Sequence, residues 1–335
     1  MSDRSAADPA PGQDAGSGTV VECVVCQRPV RRAVHRIAGR PYCGEHYARV
    51  TLGSRGTWPA MGAELLGLFA LGLLMLAIGP RISDEMNDRW LVVVGLVLAL
   101  VPALLWLGVF RPLDRLEPEP HQYLLSVMVL AALLTGTIGE PLRRGAFALH
   151  SWRPDDIFWS ILVHALIQGV IQAVIVYITV RYTVFLSEEF DERADGIIYG
   201  TAAGLGVATL LNFHYVLDQP GLRLDAATAR IIVAALILAA LGGLVGYGLG
   251  QVKFERHVPW FAALFVVAAA FLNGVFAWLE EVVTSRQLGY QAWPAVVAAV
   301  IFAAIVLGTV YFLLRQAVRE TLAMSSQART TSGGN

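Results

Sequence analysis

Charge is scarce in this chain, and lysine is almost absent. Only 15% of the 335 residues are charged, whereas 56% are hydrophobic, and the mean hydropathy is +0.58. Soluble globular proteins carry about 25% charged residues, so that class is excluded. Lys253 is the one lysine and lies in a short polar stretch between two apolar runs. A mechanism that needs a lysine inside the membrane is therefore excluded as well.

What the chain has instead is a series of long apolar runs. About 20 apolar residues cross a bilayer as a helix, and an unpaired backbone cannot lie in lipid, so each run must be helical. We therefore predict an all-α polytopic membrane protein with about eight transmembrane helices. The predicted spans lie near 59–79, 90–110, 122–139, 157–180, 197–216, 231–252, 259–279 and 293–314.

The polar ends of the chain set the domain boundaries. Residues 1–18 have no apolar core of a signal peptide and are predicted to form a disordered tail. A compact module is expected at 19–50, a membrane domain at 56–318 and a polar tail at 319–335. Arginines cluster before the first span and follow the last, so the positive-inside rule predicts both termini in the cytoplasm and the protein in the inner membrane. These arginines are Arg28, Arg31, Arg32, Arg36, Arg40, Arg49, Arg55, Arg315 and Arg319.

Three cysteines and one histidine form two short pairs in the first module. Cys23 and Cys26 are separated by two residues, as are Cys43 and His46. This spacing is typical of a structural tetrahedral zinc site. A disulfide is less favoured because the cysteine count is odd and the predicted compartment is reducing. The segment is too short to bury a core, so bound zinc would supply its folding free energy.

The stretch Gly39-Arg-Pro-Tyr-Cys-Gly-Glu-His-Tyr47 resembles the closing half of a LIM-type or treble-clef finger. That resemblance implies a closed structural site used for protein contacts. The arginines of the module could equally favour anionic lipid headgroups. Nucleic acid is not an expected partner for a module tethered at the membrane.

Glycines recur on two of the predicted spans. Gly200, Gly204 and Gly206 lie on the fifth, and Gly242, Gly246, Gly248 and Gly250 lie on the sixth. A spacing of four residues places glycines on one helix face, where two backbones can approach closely. We predict that these rows serve helix packing.

Three segments resemble the PrsW family of intramembrane proteases, which are related to CAAX prenyl endopeptidases. They are Leu113-Asp-Arg-Leu-Glu-Pro-Glu-Pro120, the stretch from Asp195-Gly196 to Ala208-Thr209, and Gly246-Tyr-Gly-Leu-Gly250 with Phe254. The resemblance implies a PrsW-like helical bundle. It also implies catalysis by an EExxK motif, a glutamate before asparagine, and histidines on two later spans.

The ionisable residues of those motifs are replaced in this chain. The resemblance places the motif positions on Gln168, Gly169, Gln172, Leu211, Leu238 and Asn273. A carboxamide or alkyl side chain cannot take a proton from water near neutral pH. The expectation from the sequence is therefore a proteolytically inactive homologue, with no catalytic residues at these positions, that binds or scaffolds membrane partners through a polar intramembrane cleft and the cytoplasmic zinc module.

A polar stripe remains on the fourth span, where His164, Gln168 and Gln172 recur every four residues. Asn212 and His214 are expected to approach it from the fifth span. Polar residues at membrane depth are costly and usually face a partner or a wet cavity. The stripe is interpreted either as a hydrogen-bonded cluster that joins helices or as a cleft for a membrane-embedded protein or peptide partner.

Two other functions stay open at this point. One is an active PrsW-type protease that uses displaced residues such as Glu64, Glu140 or the Ser160–His164 pair. The other is a small-solute transporter, which inverted repeats or paired broken helices would favour. Neither repeats nor paired breaks are visible in the sequence.

Overall fold

A computed structural model gives the fold of two separate units, one from 1–54 with 321–335 and one from 55–320. The described residues are 21–23, 28–30, 36–37, 40–41, 43–44, 57–110, 121–149, 156–187, 189–190, 193–218, 222–254, 260–285, 297–298, 300–302, 304–306, 308–309 and 312.

The described part of the first unit consists of two antiparallel hairpins. Strands β1 (Val21–Glu22) and β2 (Pro29–Val30) pair Val21 with Val30. Strands β3 (Arg36–Ile37) and β4 (Arg40–Pro41) pair Arg36 with Pro41. Each strand has only two residues, so backbone pairing alone gives little stability.

The second unit is a bundle of eight described α-helices, in agreement with the predicted all-α membrane fold. Two of the predicted spans continue through π-helical turns, at Thr135–Gly139 and Pro141–Ala146 after α3 and at Ala165–Gly169 between α4 and α5. The helices are α1 (Thr57–Glu85), α2 (Asp88–Phe110), α3 (His121–Leu134), α4 (Ile157–His164), α5 (Val170–Thr183), α6 (Arg193–Asp218), α7 (Leu224–Phe254) and α8 (Trp260–Ser285).

Seven spans in the described residues are long and apolar enough to cross a membrane. The eighth predicted span, 293–314, is helical at each of its described residues. Phe302 of that run packs beside Phe276, with ring centroids 5.5 Å apart. Much of it lies outside the described residues, as do residues 111–120 with the first family-like segment.

Helices α6 and α7 form the centre of the bundle, and Gly200 and Gly204 of α6 face Gly242 and Gly246 of α7, whereas Gly206 packs against Met128 of α3 and Gly248 against Phe265 of α8. A Cβ placed on Gly200 would lie 2.9 Å from the Cα of Gly246, and one placed on Gly242 would lie 3.1 Å from the Cα of Gly204. Only glycine allows backbones to approach this closely. The predicted packing role of these rows is confirmed, and the second and third family-like segments prove to be packing partners.

Exposed aromatic side chains lie near both ends of the bundle. Trp90, Phe158 and Trp159 are at helix starts on one side, and Tyr182 and Trp260 lie on the other, each more than half exposed. Aromatic rings of this kind favour the membrane–water interface. The two groups lie at opposite ends of the apolar helices, which is the arrangement expected of a multi-pass membrane protein.

Candidate functional site

Three carboxamides from two neighbouring spans form a hydrogen-bonded row inside the bundle. Asn273 on α8 donates from Nδ2 to Oε1 of Gln172 on α5 at 2.6 Å. Gln168, in the π turn before α5, donates from Nε2 to Oδ1 of Asn273 at 3.5 Å. Asn273 and Gln172 are buried. We call these three residues the amide row.

Beside the amide row lies a small cavity whose walls are otherwise apolar. Four of the six positions that the family resemblance singled out line it: Gly169, Gln172, Leu238 and Asn273. The space open to the centre of a water molecule is about 10 Å³, which is room for one water. Gln172 contributes to the cavity wall while its Oε1 atom accepts the bond from Asn273.

Two glycines bring α8 against the helix that carries the glutamines. A Cβ on Gly169 would lie 2.9 Å from the Cα of Ala270, and one on Gly274 would lie 2.7 Å from the backbone nitrogen of Ala165. The short distance places Asn273 within reach of both glutamines. A side chain at position 169 would require α8 to move away.

The expected stripe of His164, Gln168 and Gln172 is interrupted by a π turn, which the sequence did not indicate. Ala165–Gly169 forms i→i+5 backbone bonds and holds more residues per turn than an α-helix. Gln168 and Gln172 still share a partner in Asn273. The Nδ1 atom of His164 instead lies 2.9 Å from the carbonyl oxygen of Ser160.

Asn212 and His214 have no described bond to the amide row. Asn212 donates to the carbonyl oxygen of Ile231 at 3.3 Å and so joins α6 to α7. Nδ1 of His214 is buried and has no hydrogen-bond partner among the described residues. Leu211, the remaining motif position, packs against the main apolar core. The residue that joins the stripe is Asn273, which the predicted cleft did not include.

Glu140 was one of the acids considered for a displaced mechanism, and the structure places it in an ion-pair cluster. It is 5% exposed and accepts hydrogen bonds from Nε and Nη2 of Arg143, both at 2.8 Å. Arg144 also contacts Glu140 and pairs with Asp218 at the end of α6. Glu140 is therefore engaged in joining α3 to α6. The side chain of Glu64 lies outside the described residues.

The amide row can position a polar ligand, but it cannot exchange protons near neutral pH. A carboxamide offers two N–H donors and one carbonyl acceptor, which are the groups that a peptide backbone also presents. Among the described residues, no group of three or more His, Cys, Asp or Glu side chains could hold a metal ion. Cys26 and His46 of the predicted zinc site lie outside the described residues.

Comparisons with known proteins connect this site to a protease family. Residues 119–308 match the model of a family described as PrsW family intramembrane metalloprotease. Protease PrsW of Geobacillus kaustophilus is 26% identical over 196 residues, which cover 57% of this chain and 80% of the relative. Protease PrsW of Bacillus subtilis is 25% identical over 181 residues, which cover 53% and 78%. No solved structure matches the chain.

These relatives correct one expectation from the sequence. The substituted motif residues led us to expect a chain without enzymatic activity, whereas the matched family is described as a metalloprotease and the relatives are named proteases. The comparisons therefore point to an enzyme. The family model covers more than half of the chain, and the chain belongs to the PrsW family.

Proposed function

We propose that this chain is an intramembrane peptidase whose substrate is a membrane-embedded peptide segment. The observation that carries the proposal is the amide row, because Gln172 and Asn273 line a cavity at the positions that resemble the family's motif residues. The family description and the names of the relatives support the reaction type.

Substrate recognition would use the carboxamides as partners for an unwound backbone. Peptide N–H and C=O groups in lipid are costly unless they find a partner, and Gln172 and Asn273, whose carboxamides can supply such partners, lie at the cavity. The cavity holds about one water, so entry of a peptide requires α8 to move outward. Its outer face allows this movement, since Leu264, Val267 and Phe271 are each more than half exposed.

Water activation would need a group other than the carboxamides, and His164 is our candidate. A carbonyl oxygen can only accept, so Nδ1 of His164 donates to Ser160. In the neutral imidazole, Nε2 then has the lone pair and can take a proton. His164 immediately precedes the π turn that contains Gln168. We assign it the role of general base.

A catalytic metal ion, which the family description implies, does not fit the residues at this cavity. Zinc in proteins is bound by thiolate, imidazole or carboxylate groups, whereas the polar side chains of the cavity are Gln172 and Asn273. We therefore assign no metal ligands to this cavity.

The test begins by trapping the substrate. A photo-crosslinking amino acid at Val176, which lines the cavity, should capture a membrane protein in cells. Coexpression of that protein with wild type should give a shorter fragment, and His164→Ala should abolish it. His121→Ala, which removes an exposed histidine at the start of α3, is the matched control. An uncut partner with wild type would refute the peptidase, and unchanged cleavage by His164→Ala would refute the assigned base.

For the N-terminal module we propose a structural zinc site formed by Cys23, Cys26, Cys43 and His46. Two features support it: Cys23 is 1% exposed, and its N–H donates to the carbonyl oxygen of Arg28 at 2.9 Å. Elemental analysis of purified protein should find one zinc per chain, and Cys26→Ser should lower it. A zinc content near zero in wild type would refute the site.

Both termini are proposed to be cytoplasmic, with the protein in the inner membrane. The arginines before α1 support this orientation. A periplasm-dependent phosphatase fused to either terminus should show little activity, and high activity would reverse the orientation.

A further inference from the structure

A second cavity opens at the end of the bundle where α5 and α7 end and α8 begins. Its volume is about 420 Å³, far larger than the cavity at the amide row. Its lining includes Arg181, Lys253 and Tyr177 among residues with polar groups, and Phe185 and Leu186 among apolar ones. We call it the cationic recess.

The two cations of the recess are held in different ways. Lys253 donates from Nζ to the carbonyl oxygens of Phe185 at 2.6 Å and Ser187 at 3.4 Å. Cζ of Arg181 lies 4.2 Å from the centre of the Phe185 ring. These contacts fix both positive groups at the cavity.

Arg181 has an unmet hydrogen-bond requirement. Its Nη1 atom is buried and has no hydrogen-bond partner among the described residues. Glu189, the described carboxylate closest to it in sequence, makes no ion pair with it. A buried charged donor without an acceptor is costly, so the site favours an anionic ligand that brings acceptor oxygens.

We propose that the cationic recess binds the phosphate of an anionic phospholipid. Arg181 would donate to the phosphate oxygens, with Lys253 nearby as a second positive charge and Tyr177 as a neutral donor. Basic pockets between transmembrane helices suit such headgroups.

The surroundings favour a lipid over a soluble anion. Leu186 lines the recess and is 79% exposed, so it offers an apolar surface to an acyl chain. Tyr182 and Trp260, which are also largely exposed, belong to the helix ends that border the recess and mark the membrane–water interface. A phosphate held at this depth leaves its acyl chains in the hydrocarbon region.

The proposal can be tested by native mass spectrometry of the full chain in detergent. The measurement compares the retention of two lipids that differ in charge, dioleoylphosphatidylglycerol and dioleoylphosphatidylcholine. Wild type should retain phosphatidylglycerol in preference to phosphatidylcholine. Because a cation near the surface contributes about 1 kcal/mol to anionic lipid binding, Arg181→Gln should weaken phosphatidylglycerol binding about fivefold. Equal retention of the two lipids by wild type would overturn the proposal.

Two further variants separate binding from folding and from net charge. Leu186→Asp places a carboxylate at an exposed position of the recess and should also reduce retention of phosphatidylglycerol. Arg223→Gln removes the same charge from an exposed side chain at the opposite end of the bundle and should leave binding unchanged. Retention that is insensitive to both Arg181→Gln and Leu186→Asp would refute the site.

Inorganic phosphate distinguishes the lipid from a free anion. Millimolar phosphate should not displace phosphatidylglycerol from wild type. If phosphate displaces phosphatidylglycerol from wild type, and Arg181→Gln abolishes this effect, the recess binds a soluble phosphate. The lipid assignment would then be wrong.

Discussion

Two glycine-lined helix contacts in this bundle have different roles. The central seam, formed by Gly196, Gly200 and Gly204 on α6 with Gly242 and Gly246 on α7, brings two backbones together in the most buried part of the structure. The amide seam, formed by Gly169 and Gly274 with the amide row, brings α8 against α4 and α5. Both depend on the missing Cβ. Among the described residues the carboxamide row crosses the amide seam, and the small cavity lies between that row and Gly242 of the central seam.

The difference indicates which contact is built for packing and which for binding. Polar groups in a membrane are costly, so a contact that needs only stability has no use for a carboxamide row. Helix α8 is also peripheral, with one face exposed to lipid, whereas α7 is buried on nearly all sides. Helix α8 contributes fewer buried residues to the main core than α7 does, so we expect the amide seam to open at a lower cost than the central seam.

The largest expected effect is at the central seam. In Gly246→Ala the new Cβ would lie 2.6 Å from the carbonyl carbon of Gly196 and 3.0 Å from the Cα of Gly200. Both atoms belong to the backbone, so they cannot rotate away as a side chain could. We expect a loss of about 3 kcal/mol in the free energy of unfolding, measured in detergent mixtures. Gly108→Ala, where the Cβ meets nothing within 4 Å, should be stabilising by up to about 1 kcal/mol. Equal effects for the two variants would show that the seam is not tightly packed.

A smaller effect is expected at Gly169, on the amide seam. The Cβ of Gly169→Ala would also meet backbone, that of Ala270, but α8 can move toward lipid to relieve it. We expect a loss of about 1–2 kcal/mol in unfolding free energy, with Gly67→Ala, whose Cβ makes ordinary contacts with Leu105, as the control. A loss as large as that of Gly246→Ala would mean that α8 is held rigidly and that the two seams do not differ.

Much of this comparison could be read from the sequence, because apolar length and glycine spacing are local properties. The membrane spans and the role of Gly200 and Gly246 were predicted in this way, and the family was identified from short segments of the chain. The resemblance also led to Gly169, Gln172, Leu238 and Asn273, which the structure brings to one cavity.

What the sequence could not predict depends on how the helices are placed in three dimensions. A period of 3.6 residues aligned His164 with Gln168, but the π turn changes that alignment. Asn212 was expected at the stripe, yet it joins α6 to the carbonyl of Ile231. The sequence around Asn273 gives one indication of its role, since a polar residue followed by glycine stands out within an apolar run. Its hydrogen bonds to Gln168 and Gln172, about 100 positions away, become visible only in the fold.

The smallest effect, and the sharpest measure of the difference between the seams, is the coupling between Gln172 and Asn273. Each leucine substitution, Gln172→Leu and Asn273→Leu, removes the 2.6 Å bond between them, so the double variant should be less destabilised than the sum of the single ones. Interhelical hydrogen bonds in membranes contribute about 0.6 kcal/mol on average and at most about 1.7 kcal/mol. We expect a coupling in this range from unfolding in detergent mixtures.

The pair Thr228→Val and Gln172→Leu, whose members lie on different contacts, should show none. Coupling near zero between Gln172 and Asn273 would mean that the amide row does not stabilise the seam, and its cost in lipid would then be attributable to ligand binding alone.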